Sequence, residues 1–321
     1  MRHAESTSNV SRRWQGQGDA PLSAHGQTQA AALAARLAER QRNGWRVDVI
    51  VASDLMRAAH TARASFATEV VTDATWREAD VGAWEGLTRA EVAERFPEEL
   101  TALGEGRSDV ALGGGESLER FWGRVDAALD RLRAQLTPDG RAVVFTHGGV
   151  IGAVVAHALG KRALRPSSGL GRLANTAMTT LHYDAGHAGA RLIGLNDTAH
   201  LGDGAVAAEE RRDGALPMIR LVARDELVHA VDGEAAQLEA ASGSRDAIVA
   251  VLQRAVAQRG AELTLQVSPR TLHAVVVALA HVPAERHGAL VLPQGAQHSH
   301  IVLDERLGAT VIDYAISPHK G

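Results

Sequence analysis

The sequence predicts a two-domain α/β protein: a three-layer, mainly parallel sheet with helices on both faces, followed by a second, smaller α/β domain. Three observations lead to this prediction. Buried-strand and amphipathic-helix patterns alternate up to about residue 201, a polar segment interrupts them, and the alternation then resumes. The length of 321 residues suits two domains, and 45% hydrophobic with 22% charged residues is typical of a globular protein.

The first element that the sequence defines is a helix over residues 22–40. Its apolar residues recur at helical spacing, and Ser23 stands where an N-cap is expected. Residues 47–54 form a short run of β-branched residues that ends at Ser53 and Asp54, which is typical of a buried strand. A second helix is expected from Leu55 onward.

A second helix and strand pair follows further along the chain. Residues 117–136 predict a long amphipathic helix capped by Ser117, and residues 141–149 predict a buried strand that ends in glycines. The next helix is expected near Val150. Ligands bind at the carboxyl ends of parallel strands, so residues that end the two predicted strands are expected to meet in one crevice.

A linker and a small second domain complete the predicted organisation. Residues 204–216 are polar, charged and glycine-bearing, as interdomain linkers are, which bounds a first domain at 1–203 and a second at 217–321. The second domain is expected to contain five strands and two helices. The predicted strands are 218–224, 262–268, 290–293, 299–303 and 309–315, and the predicted helices are 244–260 and 269–282.

Composition excludes several classes of function. A net charge of −4 argues against a general nucleic-acid binder, and the absence of cysteine excludes disulfides, thiolate catalysis and cysteine-based metal sites. The sequence contains no hydrophobic stretch of signal-peptide or membrane-spanning length, so we expect a cytoplasmic protein without a membrane partner.

Four short motifs carry the chemistry. They are RHAES (residues 2–6), SDLMRAAHTA (53–62), READVGAWEG (77–86) and THGG (146–149). In this order and spacing they resemble the histidine phosphatase superfamily, also called phosphoglycerate mutase-like, whose hallmark is an Arg-His-Gly motif after the first strand. Residues 15–30 and 113–117, with LANTAMTTLHYD and LNDTAHL near the end of the domain, are also similar to the family, so the resemblance covers about residues 1–203.

The motif residues are suited to binding and transferring a phosphoryl group, whatever family they belong to. Arg2 and Arg57 can hold the oxygens of a phosphomonoester by forked, charge-assisted hydrogen bonds, so neither a metal nor another cofactor is expected. The same cations disfavour protonation of His3, which makes its neutral imidazole the expected nucleophile. His147 is expected to donate to the equatorial oxygens of the transition state.

The resemblance adds a proton donor and further phosphate ligands. Glu78 matches the acid of the family, which protonates the leaving oxygen and then deprotonates the attacking water, with Glu85 as a competitor for that role. Asn9 and Gln15 complete phosphate binding by analogy with the family. His281, His287, His298 and His300 are expected to be solvated histidines in loops rather than metal ligands.

The sequence departs from the family at its start. Ala4 replaces the glycine of the hallmark, which is tolerated if the backbone there does not need positive φ. An apolar central strand precedes the hallmark in the family, whereas this sequence begins at Met1, where the family often has a valine. The expectation is a truncated first strand, produced by a misplaced translation start.

Several alternatives remain at the level of sequence. A phosphatase acting on a small phosphomonoester is favoured over a phosphoglycerate mutase because the stretch between Glu78 and GGGES is short. The alternative from another class is a catalytically weak regulatory or binding protein. The identity of the phosphomonoester stays open, as do a homodimer and a role of the C-terminal domain in substrate choice, dimerisation or ligand sensing.

Overall fold

The chain divides into two compact units, which are described separately below. Unit 1 comprises residues 1–154 with 174–177, and unit 2 comprises residues 155–173 with 178–321. The structure is a computed structural model, and the residues that it describes are 1–160, 170, 172–183, 189–202, 218–223, 233–260, 262–293, 297–304, 308–311 and 313–314.

A parallel sheet organises unit 1. Its strands are β1 (Val49–Ala52), β2 (Val71–Thr72) and β3 (Ala142–Phe145), in the order β2-β1-β3, and both neighbours run parallel to β1. Arg2 forms a further parallel bridge with Thr146, just beyond the end of β3. The N-terminal segment therefore extends the parallel arrangement on the far side of β3.

Helices flank this sheet, which confirms the predicted α/β fold class. Side chains close the first turn of several of these helices, as in α2, where the Ser23 hydroxyl accepts the amide hydrogen of Gly26, and in α6, where Ser117 accepts that of Arg120. The helices are α1 (Thr7–Val10), α2 (Ala24–Arg42), α3 (Met56–Ser65), α4 (Arg89–Arg95), α5 (Pro97–Glu105), α6 (Leu118–Ala134) and α7 (Gly148–Ala158), the last of which begins in unit 1.

The core of unit 1 lies between these helices and the sheet. Leu33 and Leu37 of α2 are completely buried, as is Val125 of α6. Phe145 at the end of β3 is also completely buried, and it meets Phe66 edge to face with ring centroids 6.0 Å apart. The Phe66–Phe145 contact therefore packs the carboxyl end of β3 against the residue that follows α3.

Unit 2 contains two sheets. The strands β4 (Met178–Tyr183) and β5 (Ala190–Asp197) form an antiparallel pair. The second sheet has the order β7-β6-β8-β9, with β7 parallel to β6 and the other neighbours antiparallel. Its strands are β6 (Met218–Ala223), β7 (Glu262–Val267), β8 (His298–Asp304) and β9 (Gly308–Val311), and its helices are α8 (Gly233–Ala241), α9 (Arg245–Arg259) and α10 (Pro269–Leu279).

Two predictions in unit 2 are wrong. The expected strand 290–293 is absent, since Leu290 makes only an isolated bridge with Leu192 after a 3₁₀ helix at Ala284–Ala289. His298 and His300 were expected to be solvated, but both are buried on β8, where His300 is hydrogen-bonded to Asp313 at 2.7 Å. A buried partner on another segment explains the burial of His300, and sequence spacing does not reveal such a partner.

The predicted boundary between the domains stays a prediction, because the linker at 204–216 lies outside the described residues. Unit 2 includes β4 and β5, which precede that linker. Leu195 and Tyr314 exchange amide hydrogen bonds of 3.1 Å, which ties β5 to the C-terminal residues. No helix in the described part of the chain has the length and apolar character needed to cross a membrane.

A close backbone approach at the start of α2 yields a stability prediction. Gly26 lies against the backbone carbonyl of Glu5, so a Cβ at position 26 would collide with that oxygen. We expect Gly26→Ala to lower the free energy of unfolding by about 2–3 kcal/mol, measured by urea denaturation. Gly123→Ala in α6 is the matched control.

The control substitution is expected to raise the free energy of unfolding rather than lower it. A Cβ at Gly123 would meet no atom within 4 Å, so alanine there improves helix propensity without a clash, and we expect a gain of about 0.5–1 kcal/mol. Equal effects of the two substitutions would contradict the close approach at Gly26.

Candidate active site

His3 is placed by the backbone on both sides of it. Its amide donates to the carbonyl of Thr146 at 2.9 Å, and the Thr146 amide donates to the carbonyl of Met1 at 2.9 Å. The side chain of Asn175 donates to the carbonyl of His3 at 2.9 Å. These bonds hold the segment rigidly at the carboxyl end of β3, and the His3 side chain is only 3% exposed.

The surroundings of the His3 ring define its chemical state. Nδ1 lies 2.7 Å from the carbonyl oxygen of Ala4, which accepts only, so Nδ1 carries the hydrogen and Nε2 carries the lone pair. Burial, followed by the charges of Arg2 and Arg57, holds the pKa of His3 well below 6.5. The imidazole is therefore neutral at neutral pH and offers Nε2 as a nucleophile.

Arg57 lies near the start of α3 and is 1% exposed. Its guanidinium donates from Nη1 to the carbonyl of Gly18 at 2.7 Å and from Nη2 to the carbonyl of Gly16 at 2.8 Å. The loop that supplies these carbonyls is held by Glu85, whose Oε1 accepts the amide hydrogens of Gln17 and Gly18 at 2.5 and 2.7 Å. Glu85 thus has a structural contact with the loop that positions Arg57.

Thr61 connects the segment that carries His3 to the helix that carries Arg57. Its hydroxyl accepts the amide hydrogen of Ala4 at 3.0 Å and donates to the Arg57 carbonyl at 2.6 Å. Ala4 has no positive φ, which explains why alanine is accommodated at the glycine position of the hallmark.

His147 follows β3 and faces His3. The centroids of the two rings are 5.2 Å apart, and His147 has no exposed surface. Burial is the main cause that holds its pKa well below 6.5, and the charge of Arg57 is the next. Its Nε2 lies 2.9 Å from the hydroxyl of Ser53, the residue that follows β1. The structure thus brings together the ends of the two predicted strands.

Glu78 reaches the first turn of α7, directly after His147. Its Oε2 accepts the amide hydrogen of Gly149 at 2.9 Å, and its Oε1 accepts that of Ala79 at 3.0 Å. A Cβ at position 149 would collide with the Glu78 carboxylate, so glycine is needed for this approach. The carboxylate lies close enough to Arg57 to raise the pKa of that guanidinium, although burial lowers it more.

Arg124 of α6 holds the segment that carries Glu78. Its Nη1 donates to the carbonyls of Thr75 and Arg77, both at 2.9 Å, and its Nη2 donates to the carbonyl of Glu78 at 3.2 Å. Glu116 accepts from the same guanidinium at 2.7 and 3.1 Å. Five hydrogen bonds from one side chain therefore set the path of this segment.

Asn9 and Gln15 converge on Ser6. The Asn9 Oδ1 accepts from the Ser6 amide at 3.1 Å and lies 3.3 Å from the Asn175 amide nitrogen. The Gln15 Nε2 donates to the Ser6 hydroxyl at 2.7 Å. Both side chains contact Ser6, three residues after His3, and their role in phosphate binding stays a prediction.

Four residues that support the site carry no signal in the sequence that would assign them a role. Ser53, Thr61 and Asn175 stand inside segments that resemble the family, but no role was assigned to them, and Arg124 stands in the predicted helix 117–136. The only available signal, the polar character of Ser53 at the end of a buried strand, does not define a role. The other contacts join segments that are distant in the sequence.

Residues 1–198 match the histidine phosphatase superfamily (branch 1). The chain belongs to the histidine phosphatase superfamily. This finding confirms the family that the four motifs indicated.

Individual members of the superfamily resemble the chain over about half of its length or more. Phosphoglycerate mutase-like protein 4 of Arabidopsis thaliana is 38% identical over 156 residues, which cover 47% of this chain and 66% of that protein. A metal-independent phosphoserine phosphatase of the same organism is 33% identical over 187 residues, covering 57% of this chain and 74% of that protein.

Solved structures of the superfamily show the same fold. A mycobacterial glucosyl-3-phosphoglycerate phosphatase is 36% identical, with a TM-score of 0.51 and coverage of 60% of this chain and 94% of that one. A phosphoserine phosphatase from Entamoeba histolytica is 25% identical, with a TM-score of 0.55 and coverage of 62% and 96%. In the part of this chain that the structure describes, no three or more His, Asp or Glu side chains are grouped so as to hold a metal ion.

The bonds of Arg124 lead to a stability prediction. Arg124→Met retains an apolar stem over the ring of Phe121 but leaves three carbonyls and Glu116 without their donor. We expect the free energy of unfolding in urea to fall by about 2–3 kcal/mol. The control is Arg120→Met, an exposed position on the same helix, for which a change within about 0.5 kcal/mol is expected. Similar losses of stability in both variants would contradict a structural role of the Arg124 hydrogen bonds.

The two buried histidines lead to a pH prediction. Their pKa values lie below 6.5 in the folded chain, so the unfolded chain binds more protons as the pH falls below 6.5. The free energy of unfolding should therefore decrease with falling pH, with a limiting slope of about 1.4 kcal/mol per pH unit for each histidine once the unfolded chain is fully protonated there.

The measurement is urea unfolding at several pH values between about 6.5 and 5.5. His147→Gln removes one of the two histidines. Unfolding of this variant should therefore take up one proton fewer than unfolding of the wild type, which makes the pH dependence of its stability smaller. The same slope in both proteins would show that His147 is not buried in its neutral form.

Proposed function

We propose that the chain is a phosphomonoester hydrolase that acts through a phosphohistidine at His3. The observation that carries this proposal is the state of His3: a buried, neutral imidazole whose Nδ1 is bonded to a carbonyl and whose Nε2 is left as a nucleophile beside two arginines. Membership of the histidine phosphatase superfamily supports the proposal.

The substrate phosphate would be bound by Arg57, which makes no direct contact with a carboxylate among the described residues. The two terminal nitrogens of Arg57 donate hydrogen bonds to carbonyl oxygens, which carry no net charge. Its Nε is buried and has no hydrogen-bond partner among the described residues, so a phosphoryl oxygen would supply one. With Arg2 next to His3, the pocket suits a dianionic phosphomonoester.

In the first step Nε2 of His3 forms a bond to phosphorus while the bond from phosphorus to the ester oxygen breaks. Glu78 in its protonated form gives its proton to that oxygen, which leaves as an alcohol. His147 and the arginines stabilise the charge on the equatorial oxygens. In the second step Glu78, now a carboxylate, takes a proton from water as the water attacks phosphorus and releases His3 and inorganic phosphate.

The substrate class follows from the relatives rather than from the pocket. The phosphoserine phosphatase of Arabidopsis and the mycobacterial glucosyl-3-phosphoglycerate phosphatase are named for small phosphorylated metabolites. We accordingly propose a small phosphorylated metabolite for this chain. A second candidate is mutase activity, which the name of the phosphoglycerate mutase-like relative favours.

The proposal predicts metal-independent hydrolysis that depends on His3. The wild type should release p-nitrophenol from p-nitrophenyl phosphate in EDTA, and His3→Ala should lower kcat by a factor on the order of a thousand or more, because the nucleophile is lost. His60→Ala, an exposed histidine of α3, is the control and should keep the wild-type rate.

A quench experiment tests the intermediate directly. Stopping the reaction in alkali should retain phosphate on the wild-type protein at His3, and stopping it in acid should release that phosphate, since phosphohistidine is labile to acid. Hydrolysis that persists unchanged in His3→Ala would overturn the proposal. Conversion of 3-phosphoglycerate to 2-phosphoglycerate in the presence of the bisphosphate, at a rate above hydrolysis, would favour the mutase instead.

A further inference from the structure

Ser53 and His147 form a buried pair that the hydrolytic chemistry leaves unexplained. Both side chains are completely buried, and the Ser53 hydroxyl lies 2.9 Å from Nε2 of His147. The two residues follow neighbouring parallel strands whose last residues, Ala52 and Phe145, are in register, and the Ser53 amide donates to the Phe145 carbonyl at 2.8 Å. The sheet itself therefore fixes this contact.

The hydrogen-bond capacity of Ser53 decides which atom donates. Its oxygen already accepts the amide hydrogen of Leu55 at 3.3 Å. Its hydroxyl hydrogen has one acceptor among the described residues, the Nε2 of His147. If Nε2 carried a hydrogen instead, the buried hydroxyl hydrogen would have no acceptor, which is costly in a buried site. The serine therefore donates, and Nε2 carries the lone pair.

The other ring nitrogen must then carry the hydrogen. A neutral imidazole has one N–H, and the pKa of His147 lies well below 6.5, so the hydrogen of the neutral ring lies on Nδ1. Nδ1 is buried and has no hydrogen-bond partner within the described ranges. It belongs to the ring that packs 5.2 Å from His3, where the phosphoryl group would sit. An N–H in that place attracts an anionic oxygen, whereas a lone pair would repel it.

We infer that Ser53 is a positioning residue that holds His147 in its Nδ1–H form, so that a hydrogen-bond donor faces the transferring phosphoryl group. That the ligand is a phosphoryl group rests on the proposed function. The tautomer of His147 is inferred from its hydrogen bonds, independently of that function. The two histidines share one tautomer and use opposite ring nitrogens. The Ala4 carbonyl accepts a hydrogen bond from Nδ1 of His3, so Nε2 of His3 is the nucleophile. Ser53 donates a hydrogen bond to Nε2 of His147, so Nδ1 of His147 is the donor.

The tautomer can be measured without any assay of activity. In the wild-type protein labelled with ¹⁵N at histidine, two-bond proton–nitrogen correlation spectra distinguish a protonated Nδ1 from a protonated Nε2. The signals of His147 are identified by their loss in His147→Gln. We expect a protonated Nδ1 at pH 7.5, a condition chosen to lie above the unperturbed pKa of about 6.5. A protonated Nε2 in the wild type would overturn the inference.

Kinetics test whether the tautomer matters for the reaction. Ser53→Ala removes the hydroxyl hydrogen, so His147 should shift toward Nε2–H, and kcat for p-nitrophenyl phosphate should fall on the order of ten- to a hundredfold, with a smaller change in KM. Ser53→Thr keeps a hydroxyl and should restore both the tautomer and most of kcat. Thermal unfolding of each variant shows whether it is folded.

A matched serine controls for the loss of a buried hydroxyl. Ser65 of α3 is also buried and donates only to the helix carbonyl of Thr61 at 2.8 Å, so Ser65→Ala should leave the His147 signals unchanged and kcat within about twofold. An unchanged His147 tautomer in folded Ser53→Ala would overturn the inference. If the wild type failed to hydrolyse any phosphomonoester, the proposed function would fall, while the spectra would still decide the role of Ser53.

Discussion

The site depends on one backbone interaction, the parallel pairing of the N-terminal segment with Thr146. The amide of His3 donates to the Thr146 carbonyl, which brings His3 close to His147, the residue after Thr146. Side chains alone would not hold a nucleophile so firmly, because each rotatable bond adds freedom that must be removed. Asn175 and Thr61 then add bonds on either side of His3, and these only refine a position that the backbone has already determined.

Buried charge is the second feature that shapes the site. Arg57 is bonded to the carbonyls of Gly16 and Gly18 rather than paired in contact with a carboxylate, so its positive charge stays available to an anion. That charge and burial together keep His3 and His147 neutral. Desolvation of a cation is costly, and the carbonyl dipoles of the loop offset part of that cost. The arrangement that is proposed to bind phosphate therefore also keeps His3 unprotonated.

Sequence patterns predicted those elements whose signals are local. The helix with Ser23 as its cap, the helix with Ser117 as its cap and the strands β1 and β3 follow from hydrophobic periodicity and capping within single segments. The expected strand at 290–293 was wrong because an apolar run does not contain the partner strand that it needs. The contacts of Ser53 and Arg124 were missed for a related reason, since each joins segments far apart in the chain.

The sequence by itself determined the fold class and the superfamily, and it predicted the side chains of the proposed chemistry, because these depend on short motifs and on local periodicity. Only the tertiary structure decided the protonation state and hydrogen-bond partner of each of these side chains. Burial and the neighbouring cations set the charge of His3 and His147, and the register of β1 against β3 places Ser53 on the Nε2 of His147. Both effects arise from groups brought together in space, which a linear sequence does not order.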